Sequence, residues 1–337
     1  MKTLVLPVIA LALAVGGCAS MGGDQTEEKT IKVVTDNLEK MDGKKEVYLG
    51  QFSVTFVTKD KASATSESSM FSKDRAYAQA VLKSELKGVP EETMQAITEE
   101  VYSDFLAKLT AQGYTVRNYS ELTSNKDWKD IDVLETPYQP SAVGSFLKRD
   151  KGKTLTFTPE GMDLLYYKAY PAVPGVTPPY DLAKLAGELD YPVLVADYRI
   201  HFANLSGQTD RTMDYNTGER TYSAEVSFGQ AITVQPNSGI AFIKGVSSTF
   251  SQKTGYAQLE TPVIIGGAFG ENEDTTSGAQ KAANAFSGLL GMVSGGSTDT
   301  TEITVNADPS IYARGVSQAV DLANDEVIKA FVAGSVK

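Results

Sequence analysis

Residues 220–235 read RTYSAEVSFGQAITVQ, and their alternation decides the fold. Even positions carry Tyr222, Ala224, Val226, Phe228, Ile232 and Val234; odd positions carry Thr221, Ser223, Glu225, Ser227, Thr233 and Gln235. Successive side chains of a strand point to opposite faces, so an apolar row beside a polar row marks a strand half-buried against a core. The preceding stretch does the same, with Leu194, Ala196, Tyr198, Ile200 and Phe202 set against Asp197, Arg199 and His201. Pro236-Asn237-Ser238-Gly239 is a turn signal, and Ile240-Ala241-Phe242-Ile243 reads as a third strand. The pattern over residues 193–250 predicts a three-stranded antiparallel meander with one face toward water. Strands of roughly 13–15 residues exceed the usual five or six, so they are bulged and bent, or they project beyond the domain.

On the carboxyl-terminal side, Val263-Ile264-Ile265 is a brief apolar run and residues 266–300 are rich in Gly, Ser, Ala and Thr. An amphipathic piece at 278–293 carries Ala282, Ala285, Phe286, Leu289 and Leu290. Ile303-Thr304-Val305 suits a last strand. Asp308-Pro309 then opens a helix by an N-cap and a proline in its first turn, with Val316, Val320, Ala323, Val327 and Phe331 on its buried side.

On the amino-terminal side, a short helix over 181–190 leads into the meander. Residues 137–192 hold eight of the thirteen prolines. The segment 137–180 is expected to be a Pro/Tyr-rich insertion, with Lys151-Gly152-Lys153 as a hairpin tip between Phe146-Leu147 and Leu155-Thr156-Phe157. Its tyrosines are read as cover for a proline-rich loop in preference to a partner surface. Residues 90–112 form the clearest helix, with Met94, Ile97, Val101, Phe105 and Leu109 as one stripe and Gly113 as its stop. A strand over 47–57 precedes it. Residues 60–69 read as loop and 70–87 as a helix. The fold class expected is α/β (α+β): a mixed, largely antiparallel sheet with helices packed on one face.

The first residues give an address. Lys2 is followed by an uncharged run from Leu4 to Val15 that ends in Gly16-Gly17-Cys18. A membrane-spanning helix needs about 20 apolar residues, so a shorter run before small residues reads as a signal peptide over 1–17. Val15-Gly16-Gly17-Cys18 resembles the bacterial lipobox. That resemblance implies cleavage after Gly17 and acylation of Cys18 by a diacylglycerol and a fatty acid such as palmitate. Ala19 and Ser20 stand where an aspartate would retain a lipoprotein at the inner membrane, which implies an outer-membrane, periplasm-facing location. Residues 18–44 are expected to be the lipidated cysteine and a flexible tether, and residues 45–337 the domain.

Cys18 is the only cysteine, so no disulfide forms within the chain. The formal net charge of −11 speaks against nucleic acid and against electrostatic binding to anionic lipid. The expected partners are the membrane, through the acyl chains, and other envelope proteins, with a homo-oligomer left open.

The catalytic inventory is thin. His201 is the only histidine, and it is expected to be an ordinary exposed strand residue. No Cys/His metal cluster can be assembled, and there is no nucleophile elbow or phosphate loop. Asp210, Asp214, Asn216, Gly218 and Glu219 loosely suggest a calcium loop, but the spacing does not complete one and an ordinary hairpin loop is preferred. The expectation is no enzyme, no cofactor and no metal. Carboxylate-only chemistry stays open, with nothing to select a pair.

The order of elements, ending in Leu182-Ala183-Lys184-Leu185-Ala186-Gly187-Glu188-Leu189-Asp190-Tyr191-Pro192-Val193-Leu194-Val195-Ala196-Asp197 and the turn Pro236-Asn237-Ser238-Gly239, resembles periplasmic α/β domains. These include the amino-terminal domain of TolB and the curli secretion channel lipoproteins. The resemblance covers about half the chain. The channel family implies a ring in which each subunit lends two long hairpins to a membrane barrel. One would fall at 196–228; the second should lie in 245–305, where the alternation stops. The leading expectation is therefore a non-catalytic binding or scaffolding lipoprotein in envelope assembly or transport. The alternative is a subunit of a homo-oligomeric secretion channel.

Overall fold

The structure, a computed structural model, describes residues 30–67, 77–140, 152–166, 180–213, 220–248, 251–277, 281 and 296–336. One compact unit runs from Ile31 onward. The domain thus begins earlier than the boundary at 45 expected from the polar composition. Strand β1 (Val33–Asp36) and a 3₁₀ turn (Leu38–Met41) belong to it, and Leu38 and Met41 are buried in the core.

The main sheet is built on β9 (Val193–Met213), a strand of 21 residues. On one side lies β2 (Glu46–Val57), parallel to it from Tyr48↔Val193 to Phe56↔Ile200. The far edge of β2 carries β5 (Thr115–Arg117), parallel, and β7 (Thr154–Phe157), antiparallel. On the other side of β9 lie β10 (Arg220–Val234) and β11 (Gly239–Ser248), both antiparallel to it. The sheet ends at β12 (Ser251–Leu259) and β1 beyond β11, and at β13 (Val263–Gly266) beside the end of β10.

The expected antiparallel trio is present but joined differently. β10 and β11 do not pair with each other; they lie end to end along the same edge of β9, with Val234↔Ile200 and Gly239↔Asp197. Residues 235–238 are a bulge rather than a reversal. The Gln235 N–H donates to the Arg199 carbonyl at 2.8 Å, and the Arg199 N–H donates to Ser238 Oγ at 3.0 Å. Asn237 takes a left-handed backbone (φ 67°) to absorb the extra residues.

Alternation along β9 sorts two cores. Leu194, Ala196, Tyr198, Ile200 and Phe202 face the two long helices α1 (Glu91–Ala111) and, at the end of the chain, Pro309–Ser335. Phe52 sits there among Tyr102, Phe105 and Tyr198 with ring centroids 5.3–5.6 Å apart. Burying each such side chain contributes roughly 1.5–3 kcal/mol. Val193 and Val195 point the other way, onto short helices α2 (Tyr119–Thr123) and α3 (Tyr180–Glu188), with Trp128 and Leu165. The long helices share one face, as expected, and the short ones cover the lower half of the other. The closing helix, α4 (Pro309–Ser335), is capped by Asp308, whose Oδ1 accepts from the Ser310 and Ile311 N–H groups at 2.8 and 3.0 Å.

A second sheet was not expected. Its order is β14 (Gly270–Asp274), β15 (Gly296–Ala307), β4 (Tyr77–Lys87), β3 (Lys59–Glu67). β4 and β15 run parallel in unbroken register from Gly296↔Tyr77 to Asn306↔Lys87. The loop expected over 60–69 and the helix expected over 70–87 are therefore strands in their described parts, 60–67 and 77–87. Alanines, lysines and glutamates there favour helix as isolated residues, and the long pairing partner overrides that preference. The face carrying Ala64, Ser66, Ala78 and Leu82 is buried on the β9–β10 ribbon. Small residues set the close approach: a Cβ on Gly207 would stand 3.2 Å from that of Ala64.

In the Pro/Tyr-rich insertion, β7 pairs with β2, and β6 (Val133–Leu134) pairs with β8 (Leu164–Leu165). Gly152 packs against the Lys59 carbonyl and Thr58 donates its N–H to the Lys153 carbonyl, so this point meets β3 rather than standing out as a tip. Phe146, Leu147 and Lys151, the expected other side of that hairpin, lie outside the described residues, as does the amphipathic piece at 278–293 except for Lys281. Among the described residues no helix is long and apolar enough to cross a membrane.

Candidate functional site

β3 crosses β9 where the two sheets meet, and this crossing builds the site. Asp60 on β3 points inward and meets His201 on β9, with Nε2 2.8 Å from Asp60 Oδ2. His201 Nδ1 accepts the Ala203 N–H at 2.9 Å, which places the proton of the neutral ring on Nε2, where it donates to Asp60. His201 is 2% exposed, contrary to the solvent-facing role expected of it. Its polar row reads as a wet face because nothing in the sequence announces that β3 lies over it. Both ring nitrogens are engaged, so neither is free to serve a serine as general base. Burial pushes the Asp60 carboxyl up, but the His201 bond and the Lys61 N–H outweigh it and hold the group below its ordinary value.

Outside this latch, a cavity of about 420 Å³ opens at the base of the second sheet. β3, β4 and β15 supply Lys59, Lys61, Lys83, Glu85, Glu302 and Thr304; Lys153 and Thr275 come from the flanking segments. Strand register places Lys59 opposite Glu85 and Lys83 opposite Glu302, and both pairs are closed, at 2.6 and 3.0 Å. As partly exposed pairs they add no more than about 1 kcal/mol each to stability. Register also sets Lys61 directly opposite Lys83, two like charges on one face. The cavity thus concentrates four ammonium groups in a chain of net charge −11. Glu85 and Glu302 line the same cavity and already neutralise two of the four.

A second polar group lies on the β9 face above α3. Asp197 Oδ1 accepts from Gln51 Nε2 at 2.7 Å and from Ser53 Oγ, and Gln51 Oε1 in turn accepts the Leu165 N–H at 2.8 Å. Asp197 is partly exposed as a residue, but its Oδ2 is shut from solvent and has no partner among the described residues. Burial pushes this carboxyl up to about 6, against the pull of the Ser53 and Gln51 bonds. The group ties β2, β9 and β8 together.

Of the residues singled out in the sequence, Gly17 and Cys18 lie outside the described residues, as do Asp214, Asn216, Gly218 and Glu219. Asp210 sits in β9 opposite Ser223 of β10. Among the described residues no three His, Cys, Asp or Glu side chains gather as a metal site. Sequence reasoning missed Asp60 and the lysine cavity altogether. The one available signal was the run Lys59-Asp60-Lys61 followed by alternating small residues Ala62, Ala64 and Ser66. Comparison with models of known families, with curated proteins and with solved structures gives no match.

Proposed function

We propose that this chain is an outer-membrane lipoprotein, anchored through acyl chains on Cys18, whose periplasmic domain binds or scaffolds partners in envelope assembly or transport and catalyses nothing itself. One observation carries the reading. Val15-Gly16-Gly17-Cys18 holds the chain's only cysteine and follows a charge-free apolar run. The second unit then begins at Ile31, and the sequence between Cys18 and that point is mostly polar, as a tether from lipid to domain would be. The engagement of both nitrogens of the sole histidine supports the non-catalytic part. Replacing Cys18→Ser tests the anchor: the protein should leave the outer-membrane fraction on cell fractionation. If Cys18→Ser stays with that membrane, acylation is not what holds it.

A second reading, a subunit of a homo-oligomeric secretion channel, is supported by the length of β9 and β10, whose pairing runs out to Met213↔Arg220. A paired segment, β14 with β15, also overlaps the 245–305 window in which the channel family implies a second hairpin. Against it, the apolar side of the β9–β10 ribbon lies on β3 and β4, whereas a barrel strand turns that side to lipid.

A further inference from the structure

We propose that β1 is a release strap: under load from the anchor it peels off β12 and lengthens the chain between lipid and domain, while the 3₁₀ turn that follows it stays docked. The role in reach rests on the lipid anchor proposed above; the strap itself is tested below without the lipid. The anchor's chain joins the domain at this strand, since the compact unit starts at Ile31 and β1 at Val33. Fully extended, the chain from Cys18 to Ile31 reaches about 45 Å, and from Cys18 to Leu38 about 70 Å. Releasing β1 therefore adds about half as much again to the distance at which the domain can work from the membrane.

The grip on the chain changes abruptly between residues 36 and 38. β1 lies at the end of the main sheet, four residues long, with β12 as its one strand neighbour among the described residues. Val34, Thr35 and Asp36 are exposed, and Ile31 and Val33 are only half-buried, so the strand can leave without emptying a core position. The turn beyond is held differently. Leu38 and Met41 are buried, at 2% and 0% exposure. A Cβ on Gly334 of α4 would stand 2.5 Å from the Leu38 side chain, and the Gly43 N–H donates to the Ser335 carbonyl at 3.2 Å, so this turn is seated on the end of the closing helix. Asn37 joins the two in a left-handed backbone (φ 53°), a kink that keeps strap and stop as separate pieces. The order of bonds suits release from the anchor's end. Lys32 donates its N–H to Thr261 Oγ1 at 2.9 Å, and its carbonyl accepts the Glu260 N–H at 2.8 Å. These bonds stand where the anchor's chain arrives, so a pull there loads them first and the ladder toward Asp36 after them, one bond at a time. Chain ends with few buried apolar contacts open at the low end of a protein's range of local stabilities.

Stretching the mature chain from residue 18, as Cys18→Ser, in optical tweezers tests this. The handles are clicked to azidophenylalanine in place of Ser20 and of Glu260, the latter beside Lys32 at the end of β1 where the anchor's chain arrives. The trace should show a reversible first lengthening of roughly 20–40 Å, the release of Ile31 to Asn37, at a force well below that of global unfolding. Val34→Cys with Gln258→Cys, opposite each other in register, form a disulfide that fastens the strap. The first lengthening should vanish in that oxidised protein and return with reductant. Unfolding in a single event with no first step would overturn the proposal. So would a first step that persists in the oxidised pair, or one long enough to include Leu38 and Met41, since the turn would then be no stop. A failure of the anchor shows in the fractionation of Cys18→Ser and leaves these traces as they are, so the two readings fail separately.

Discussion

Asp197 sits on the row that the alternation marks as polar, yet its outer oxygen is sealed off and lacks a donor among the described residues. Its carboxyl is raised to about 6, from about 3.9 in an unfolded chain. The folded state therefore holds the proton more tightly than the unfolded state does. The associated stability is fully present below pH ~4 and is lost as pH rises through ~6, on the order of 2–3 kcal/mol in all. Asp197→Asn keeps the acceptor for Ser53 and Gln51 without the charge. It should raise the thermal midpoint at pH 7.5 and change little at pH 4.5; equal shifts at both would mean that ionisation is not the cause. Asp60 acts in the opposite sense, since its depressed carboxyl gives stability that is lost only as pH falls through its lowered value. His201→Ala removes the donor that holds it and should destabilise the fold by about 1–3 kcal/mol, an effect that a double-mutant cycle with Asp60→Asn should show to be shared. Neither residue's burial could be read from the sequence, because polarity at a strand position does not say whether a second layer covers it.

At the level of elements, legibility followed self-sufficiency. α1 and α4 each carry their own apolar stripe and their own start signals, so the sequence places the start of each within a residue. β9 and β10 carry their own alternation. β3, β4 and β15 carry little: alanine, serine, threonine and lysine become strand here because of partners far along the chain. The lysine cavity was hidden for the same reason, as its walls are these strands. The small side chains also allow a direct check of how the layers meet. Cysteines at Ala64→Cys and Gly207→Cys would have Cβ atoms about 3.2 Å apart, a few tenths of an ångström under the usual range of about 3.5–4.5 Å. The pair should oxidise spontaneously and raise stability by roughly 2–4 kcal/mol, reversed by reductant. Two thiols that stay titratable in the native protein would show that β3 does not lie across β9.

At the level of the molecule, the two functional readings differ in size. The scaffold reading expects the lipidated protein in mild detergent to scatter light as a monomer or dimer; a closed ring of many copies would move the assignment to the channel. The parallel join of β4 to β15 has a further consequence, in time rather than in space. Residue 77 meets residue 296, about 220 positions downstream. Closing so long a loop is costly in entropy, and topologies built on such distant pairings fold slowly. A chain made from its amino terminus therefore carries the β3–β4 hairpin with an open edge until almost the last strand has been synthesised. For that interval the exposed edge is a template for wrong partners, and escorting it is a task for the cell's chaperones rather than for the sequence.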